Sequence, residues 1–223
     1  MQNYEKTIIG IVDSGIGGVA VLNKVLKKYH TGNFVYLADN KYMPYGNKTK
    51  SWLRKRVLYL INYLKENYKV DYIIIACNTA STAIQDVNEH NIFILNFEEN
   101  ETYLATNTTK RNLPKFCVIS DNRLVKQIEK HIFDEAYLED VVKQKVKIHG
   151  LARLDRFILG CTHFELVDHL FKKHCPNSEV IDNSYFLINN LKLCNMAEQR
   201  NIDVVLTKED KDLEYRIKQL ISD

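Results

Sequence analysis

The sequence predicts an α/β protein built as two similar lobes, each an open parallel sheet, with the functional site in the cleft between them. Three observations predict this. Short apolar, β-branched runs alternate along the chain with segments of helical period. The runs are continuously apolar, as in strands covered on both faces. One pattern, a strand, a small residue, Cys, a polar pair and then a helix, occurs twice, in Ile73–Thr79 and Phe157–His163.

Taken in order, Thr7–Val12 reads as a buried strand, followed by the cluster Gly15, Gly17 and Gly18. In the helix that comes next, Val21, Leu22, Val25, Leu26 and Tyr29 share one face, with Lys24, Lys27 and Lys28 opposite. Phe34–Ala38 is the second strand. The basic run Lys48–Arg56 leads into a helix over Trp52–Tyr68 and reads as its solvated face. Tyr72–Ala76 is the strongest strand, and weaker ones are expected at Ile92–Leu95, Phe116–Ile119, Phe157–Leu159, Glu179–Ile181 and Asp203–Leu206. Helices are expected over Leu124–Phe133 and Leu166–His174. The expected division is a first lobe at 1–95 carrying Asp13 and Cys77, and a shorter second lobe at 96–185 carrying Cys161. A C-terminal segment at 186–223 packs back on the first lobe.

Composition narrows the function. A chain of 223 residues, 45% hydrophobic and 26% charged, buries a sizeable core without disulfides or metal. Its 31 basic and 28 acidic side chains are too evenly balanced for a nucleic-acid-binding stripe. No apolar stretch approaches the ~20 residues that cross a bilayer. The first six residues run straight into a strand, so no leader is expected. Five scattered cysteines suit a reducing cytoplasm better than a disulfide framework. Of these, Cys117, Cys175 and Cys194 read as packing residues.

Cys77 and Cys161 each follow a strand and precede a helix, where backbone N–H groups and the helix dipole favour a thiolate. Asn78 or Thr79, and Thr162, are the expected N-caps. The loop Asp13–Gly18 also fits the dinucleotide spacing G-x-G-x-x-A, through Gly15, Gly17 and Ala20, with Asp39 as a ribose-binding acid. Against that reading, Asp13 would stand beside a pyrophosphate, and two cysteines would have no use. The glycines serve equally well to let a small anion approach backbone N–H groups. A metal cluster of Cys161, His163, His169, His174 and Cys175 matches no common zinc spacing, so no metal is expected. His163 is better read as a general acid or base, or as the partner that tunes a thiol. Two thiols facing one small substrate suit a reaction that removes a proton from one face of a carbon and returns one to the other. Tuning by Asp13, His163 and the helix ends is expected to poise the thiols near neutrality.

Four segments, Val12–Gly18, Asp39 with Pro44–Gly46, Ala76–Ser81 and Leu159–His163, resemble in the same order the signature segments of glutamate racemases. The resemblance implies a cofactor-independent cytoplasmic racemase of L- and D-glutamate that supplies peptidoglycan synthesis. Its partner is the small-molecule substrate, with neither nucleic acid nor membrane, and a homodimer is common in the family. It further implies Cys77 and Cys161 as the catalytic acid/bases, assisted by Asp13 and His163. Substrate contacts would come from Ser14, Pro44, Tyr45, Gly46, Asn78, Thr79 and Thr162. Alternative readings are a racemase of another amino acid, such as aspartate, or a homologue that binds without turnover. The chain departs from the family in a shortfall between Lys147 and Phe157, where the family carries further helical residues and an acid near the site. It departs again at Ser120–Arg123, where the family has a threonine-bearing loop and where Ser120 or Asn122 is the expected substitute. The segment Asn96–Glu99 and the pair Phe164–Glu165 also differ. Glu165 either repels a dicarboxylate from inside the site or simply opens a helix.

Overall fold

The computed structural model describes residues 6–221; residues 1–5, which include most of the segment read above as leaderless, and residues 222–223 lie outside the described residues. The first half of the chain forms β1 (Ile8–Asp13), α1 (Val19–Lys28), β2 (Gly32–Ala38), α2 (Lys50–Tyr68), β3 (Tyr72–Ile75), α3 (Asn78–Ser81) and β4 (Ile92–Ile94). There follow β5 (Thr102–Ala105), α4 (Asn107–Asn112), β6 (Cys117–Ser120), α5 (Asn122–His131) and α6 (Glu135–His149). The remainder forms β7 (Arg156–Gly160), α7 (Thr162–Glu165), α8 (Asp168–His174), β8 (Glu179–Asp182), α9 (Ser184–Asn190), β9 (Arg200–Leu206) and α10 (Lys211–Leu220).

The strands make two all-parallel sheets, of order β4-β3-β1-β2-β9 and β6-β5-β7-β8. The α/β class and the paired parallel sheets match the sequence expectation. β1 lies at the centre because it is apolar on both faces. Ile9 and Ile11 join the core under α1 and α10, while Val12 joins the one under α2. In register, Ile11 lies between Tyr36 and Ile74. The 186–223 segment supplies β9, which hydrogen-bonds along β2, and α10, whose Leu213 and Ile217 enter the first-lobe core.

The second sheet differs. Helices α5, α6, α7 and α8 cover one face through Leu124, Ile128, Leu138, Val142, Phe164 and Phe171. Among the described residues, the other face holds a small cluster of Tyr103, Ala105, Val118 and Ile158 with Phe97, Phe116 and Ile181. Continuous apolar runs therefore overstate helical cover in this lobe.

Several elements correct the sequence reading. β5 was not expected, yet it lies between β6 and β7. The amphipathic α6 was also missed; it ends at Gly150, whose φ of 64° supplies a left-handed helix stop. The helix read as Leu166–His174 starts only at Asp168, as α8, with Leu166–Val167 separating it from α7. Between the lobes, Lys24 of α1 reaches Glu165 at 2.7 Å and Asp182 at 2.8 Å.

Candidate active site

In both sheets the site lies beyond the carboxyl ends of the strands. β3 delivers Cys77 and β7 delivers Cys161, and each cysteine is itself the N-cap residue of a four-residue helix. This corrects the expected caps: Asn78 and Thr162 are already the first helical residues, and the cysteine carbonyls accept the first helical bonds. Ser81 N–H donates to Cys77 O at 2.9 Å and Phe164 N–H to Cys161 O at 2.9 Å. Both thiols border one cavity of about 310 Å³. Ser14, Pro44, Tyr45, Gly46, Asn78, Thr79 and Thr162 line it, together with His163. Asp13 stands behind this wall, fully buried.

Asp13 accepts from Gly15 N–H at 2.8 Å and from the Thr162 hydroxyl at 3.2 Å, so one carboxylate joins the two lobes. Burial raises its pKa against the lowering effect of His163 and these donors. Burial also pushes the Cys77 thiol well up, and the nearby Asp13 charge adds to the rise. That corrects the expected tuning toward neutrality, because a neighbouring anion opposes a second one. On the other arm, His163 pairs through Nε2 with Glu129 and also interacts with the Cys161 sulfur. Burial disfavours the imidazolium, but Cys161 and Glu129 outweigh it and hold the His163 pKa well above the usual value.

Two of the loop's glycines, Gly17 and Gly18, are required by close packing. A Cβ on Gly17 would lie 2.6 Å from both His163 Nδ1 and Thr162 Oγ1, and one on Gly18 would lie 2.4 Å from Asp13 Cβ. These positions are small so that the second lobe and Asp13 can press against the loop, which leaves no room there for a pyrophosphate. Nor is Asp39 open to a ribose. It accepts from Arg56 at 2.8 and 2.6 Å, from Tyr45 Oη at 2.5 Å and from Thr207 Oγ1 at 2.7 Å. Burial works against ionisation, but Arg56 and these hydroxyls lower the Asp39 pKa overall. Arg56 is thus a partner of the site's supporting turn and not part of a solvated basic face. Through Tyr45 the network anchors the Pro44–Tyr45–Gly46 turn, which follows a cis Met43–Pro44 bond.

In the second lobe, Asn122 rather than Ser120 borders the cavity. It accepts from Asn107 N–H at 2.8 Å and donates to Gly46 O at 3.1 Å, joining the lobes at the cavity edge. Ser120 lines a separate hollow, and Arg123 is exposed outside the cavity. Thr106 hydrogen-bonds Thr79 Oγ1 at 2.9 Å. Glu165 is buried facing away from the cavity, bound to Lys24 and to Ser184 Oγ at 2.5 Å, so it does not repel a substrate. The departing Asn96–Glu99 segment also lies elsewhere, with Glu98 N–H donating to Tyr103 Oη at 2.7 Å. His169 and His174 pair with Glu135 and Glu139 outside the cavity. Cys175 is buried, whereas Cys117 and Cys194 are exposed and do not serve as packing residues.

The sequence reading missed Glu129, Lys126, Lys130 and Arg216, all of which line the cavity. A signal for most of them existed. Asn122, Val125, Lys126, Glu129 and Lys130 recur at helical spacing on a helix that follows a strand, so they share one face. Arg216 comes from α10 and has no such local cue.

No family model matches the chain. The glutamate racemase of Prochlorococcus marinus (strain NATL1A) is 32% identical over 225 residues, covering 86% of this chain and 82% of that protein. The structure of glutamate racemase isoform RacE1 from Bacillus anthracis superposes with a TM-score of 0.79 at 21% identity, over 97% of this chain and 94% of that one. The glutamate racemase of Francisella tularensis, solved in complex with D-glutamate, superposes with a TM-score of 0.73 at 22% identity, over 98% and 94%.

Proposed function

A chain with these relatives belongs to the glutamate racemase family, and on that premise we propose that it interconverts L- and D-glutamate by proton transfer between two thiols, without a cofactor. The observation that carries the reading is the convergence of Cys77 and Cys161, one from each lobe, on a single cavity sized for a small molecule.

Racemisation needs a base on one face of the α-carbon and an acid on the other. Cys77 suits the acid arm, because burial and Asp13 hold its proton in place. Cys161 is then the base in that direction, with the cationic His163 beside it to stabilise its thiolate. In the reverse direction the two arms exchange roles. For the direction in which Cys77 is the base, Asp13, whose own pKa is raised by burial, takes the thiol proton beforehand and leaves the thiolate. Ser14, Asn78, Thr79 and Thr162 offer hydroxyl and amide groups to the substrate's polar ends. Tyr45 contributes its ring as a wall, since its hydroxyl is committed to Asp39.

Lys126, Lys130 and Arg216 add cationic lining, with Glu129 taken up by His163. That balance favours a dicarboxylate over a neutral amino acid. It extends to aspartate as well, so the two must be compared directly. In the wider setting carried by the family resemblance, the enzyme works in the cytoplasm as a homodimer and feeds D-glutamate to peptidoglycan.

The deciding experiment is proton NMR of the protein with L-glutamate in D2O, with chiral analysis of the product. Loss of the α-proton signal with appearance of D-glutamate is expected. Exchange without inversion would mean that only one arm works. No exchange with glutamate or aspartate would leave a binding protein.

A further inference from the structure

Asn78 lines the cavity but has one end of its carboxamide committed elsewhere. Its Oδ1 accepts from Asn183 Nδ2 at 2.6 Å, and its own Nδ2 is buried with no hydrogen-bond partner among the described residues. Asn78 opens α3 in the first lobe, whereas Asn183 directly follows β8 in the second. Both residues are almost wholly buried, at 1% and 3% exposure. The Asn183 backbone is in turn held by its N–H bond to Leu159 O.

A carboxamide has an accepting end and a donating end, and only a half-turn about its last torsion exchanges them. With the accepting end taken, the amide can offer the cavity only N–H donors. Such donors suit a carboxylate oxygen and refuse an ammonium, which has no lone pair to accept them. We infer that Asn183 is a positioning residue that holds the Asn78 amide with its N–H groups toward the cavity, making this the carboxylate-binding end of the site. The inference rests on the reading of the cavity as a glutamate site. Because the bond crosses between lobes, the donor is set only when the lobes are together. A buried donor left without an acceptor is costly, and a substrate carboxylate relieves that cost.

Asn183→Asp retains the shape but replaces the donor with an acceptor, turning the Asn78 oxygen toward the cavity. The KM for glutamate is expected to rise about 10- to 100-fold, with kcat changed by less than about threefold. Asn183→Ser keeps a shorter hydroxyl donor and should recover part of the loss. It also decides the matter through the same two constants if the Asp variant fails to fold. In an Asn78→Ala background, Asn183→Asp should have no further effect on KM, whereas a general structural role would add to it. An unchanged KM, a fall in kcat alone, or additivity would overturn the inference.

A second readout needs no turnover. In side-chain amide NMR of the wild-type protein, the Asn183 protons should carry the downfield shift of a hydrogen bond and those of Asn78 should not. The opposite pattern overturns the inference even in an inactive protein. The expected pattern in a protein that neither binds nor racemises glutamate would instead overturn the functional reading and uphold the amide orientation.

Discussion

The segments around Cys77 and Cys161 are alike in backbone and unlike in charge. Each cysteine follows a parallel strand, caps a four-residue helix and is buried against the same cavity. Cys77, however, has the carboxylate of Asp13 as its charged neighbour, while Cys161 has the imidazolium of His163, backed by Glu129. A matching fold at two places thus makes two chemically different thiols, one with an anion beside it and one with a cation. For a reaction that needs an acid opposite a base, that asymmetry is the useful feature.

Removing either arm is the hardest test of the comparison. Cys77→Ser and Cys161→Ser should each cost about 10³-fold or more in racemisation while leaving the circular dichroism spectrum unchanged. Undiminished turnover in Cys77→Ser would end the two-thiol mechanism. Next in size is the support of the first-lobe turn. Arg56→Met leaves Asp39 buried with only hydroxyl partners and should lower stability by about 3 kcal/mol near neutral pH, read from denaturant unfolding. Because the Asp39 pKa is depressed in the folded protein, the pair's contribution is present above the ordinary carboxylate value and is lost as pH falls through the folded one. The deficit should therefore shrink in acid.

Gly17→Ala strikes where the second arm presses on the first lobe. Its Cβ would displace both His163 and Thr162, at a cost of about 1–3 kcal/mol in stability with a lowered kcat. A melting temperature equal to that of the wild type would show that the contact is loose. Glu129→Gln sharpens the second arm alone. With the neighbouring charge gone, the His163 pKa drops, and the alkaline limb of the kcat profile should move to lower pH. Each unit of movement costs about tenfold in the protonated fraction above it. A profile unmoved by the substitution would remove His163 from the support of the Cys161 thiolate. The smallest effect belongs to the thiols outside both arms. Cys117→Ala should change stability by no more than about 0.5 kcal/mol. Cys117 and Cys194, being exposed, should react with a thiol reagent well before Cys77 and Cys161.

Most strands were legible because β-branched runs such as Tyr72–Ile75 and Phe157–Leu159 declare themselves over a few residues. β5 was not, since Thr102–Ala105 is a short mixed stretch whose place comes from pairing with Cys117–Ser120 and Tyr103's partner Ile158. The site divides in the same way. Cys77, Cys161 and the residues beside them form local strand–turn–helix motifs, visible wherever they occur in a chain. Glu129 reaches His163 from a separate helix, and Arg216 comes from the end of the chain, so neither belongs to such a motif. The direction in which Glu165 faces was equally beyond a local reading.

The amino-acid order by itself determined the α/β alternation, the two cysteine arms and the residues placed next to them, because hydrogen-bonded turns and apolar periodicity act over a few positions. Only the tertiary structure decided which charges stand beside which thiol, that Asp39 and Glu165 are spent on ion pairs, and which end of Asn78 is free. Desolvation and Coulomb forces act through space between segments far apart in the chain, so those outcomes exist only once the lobes have packed together.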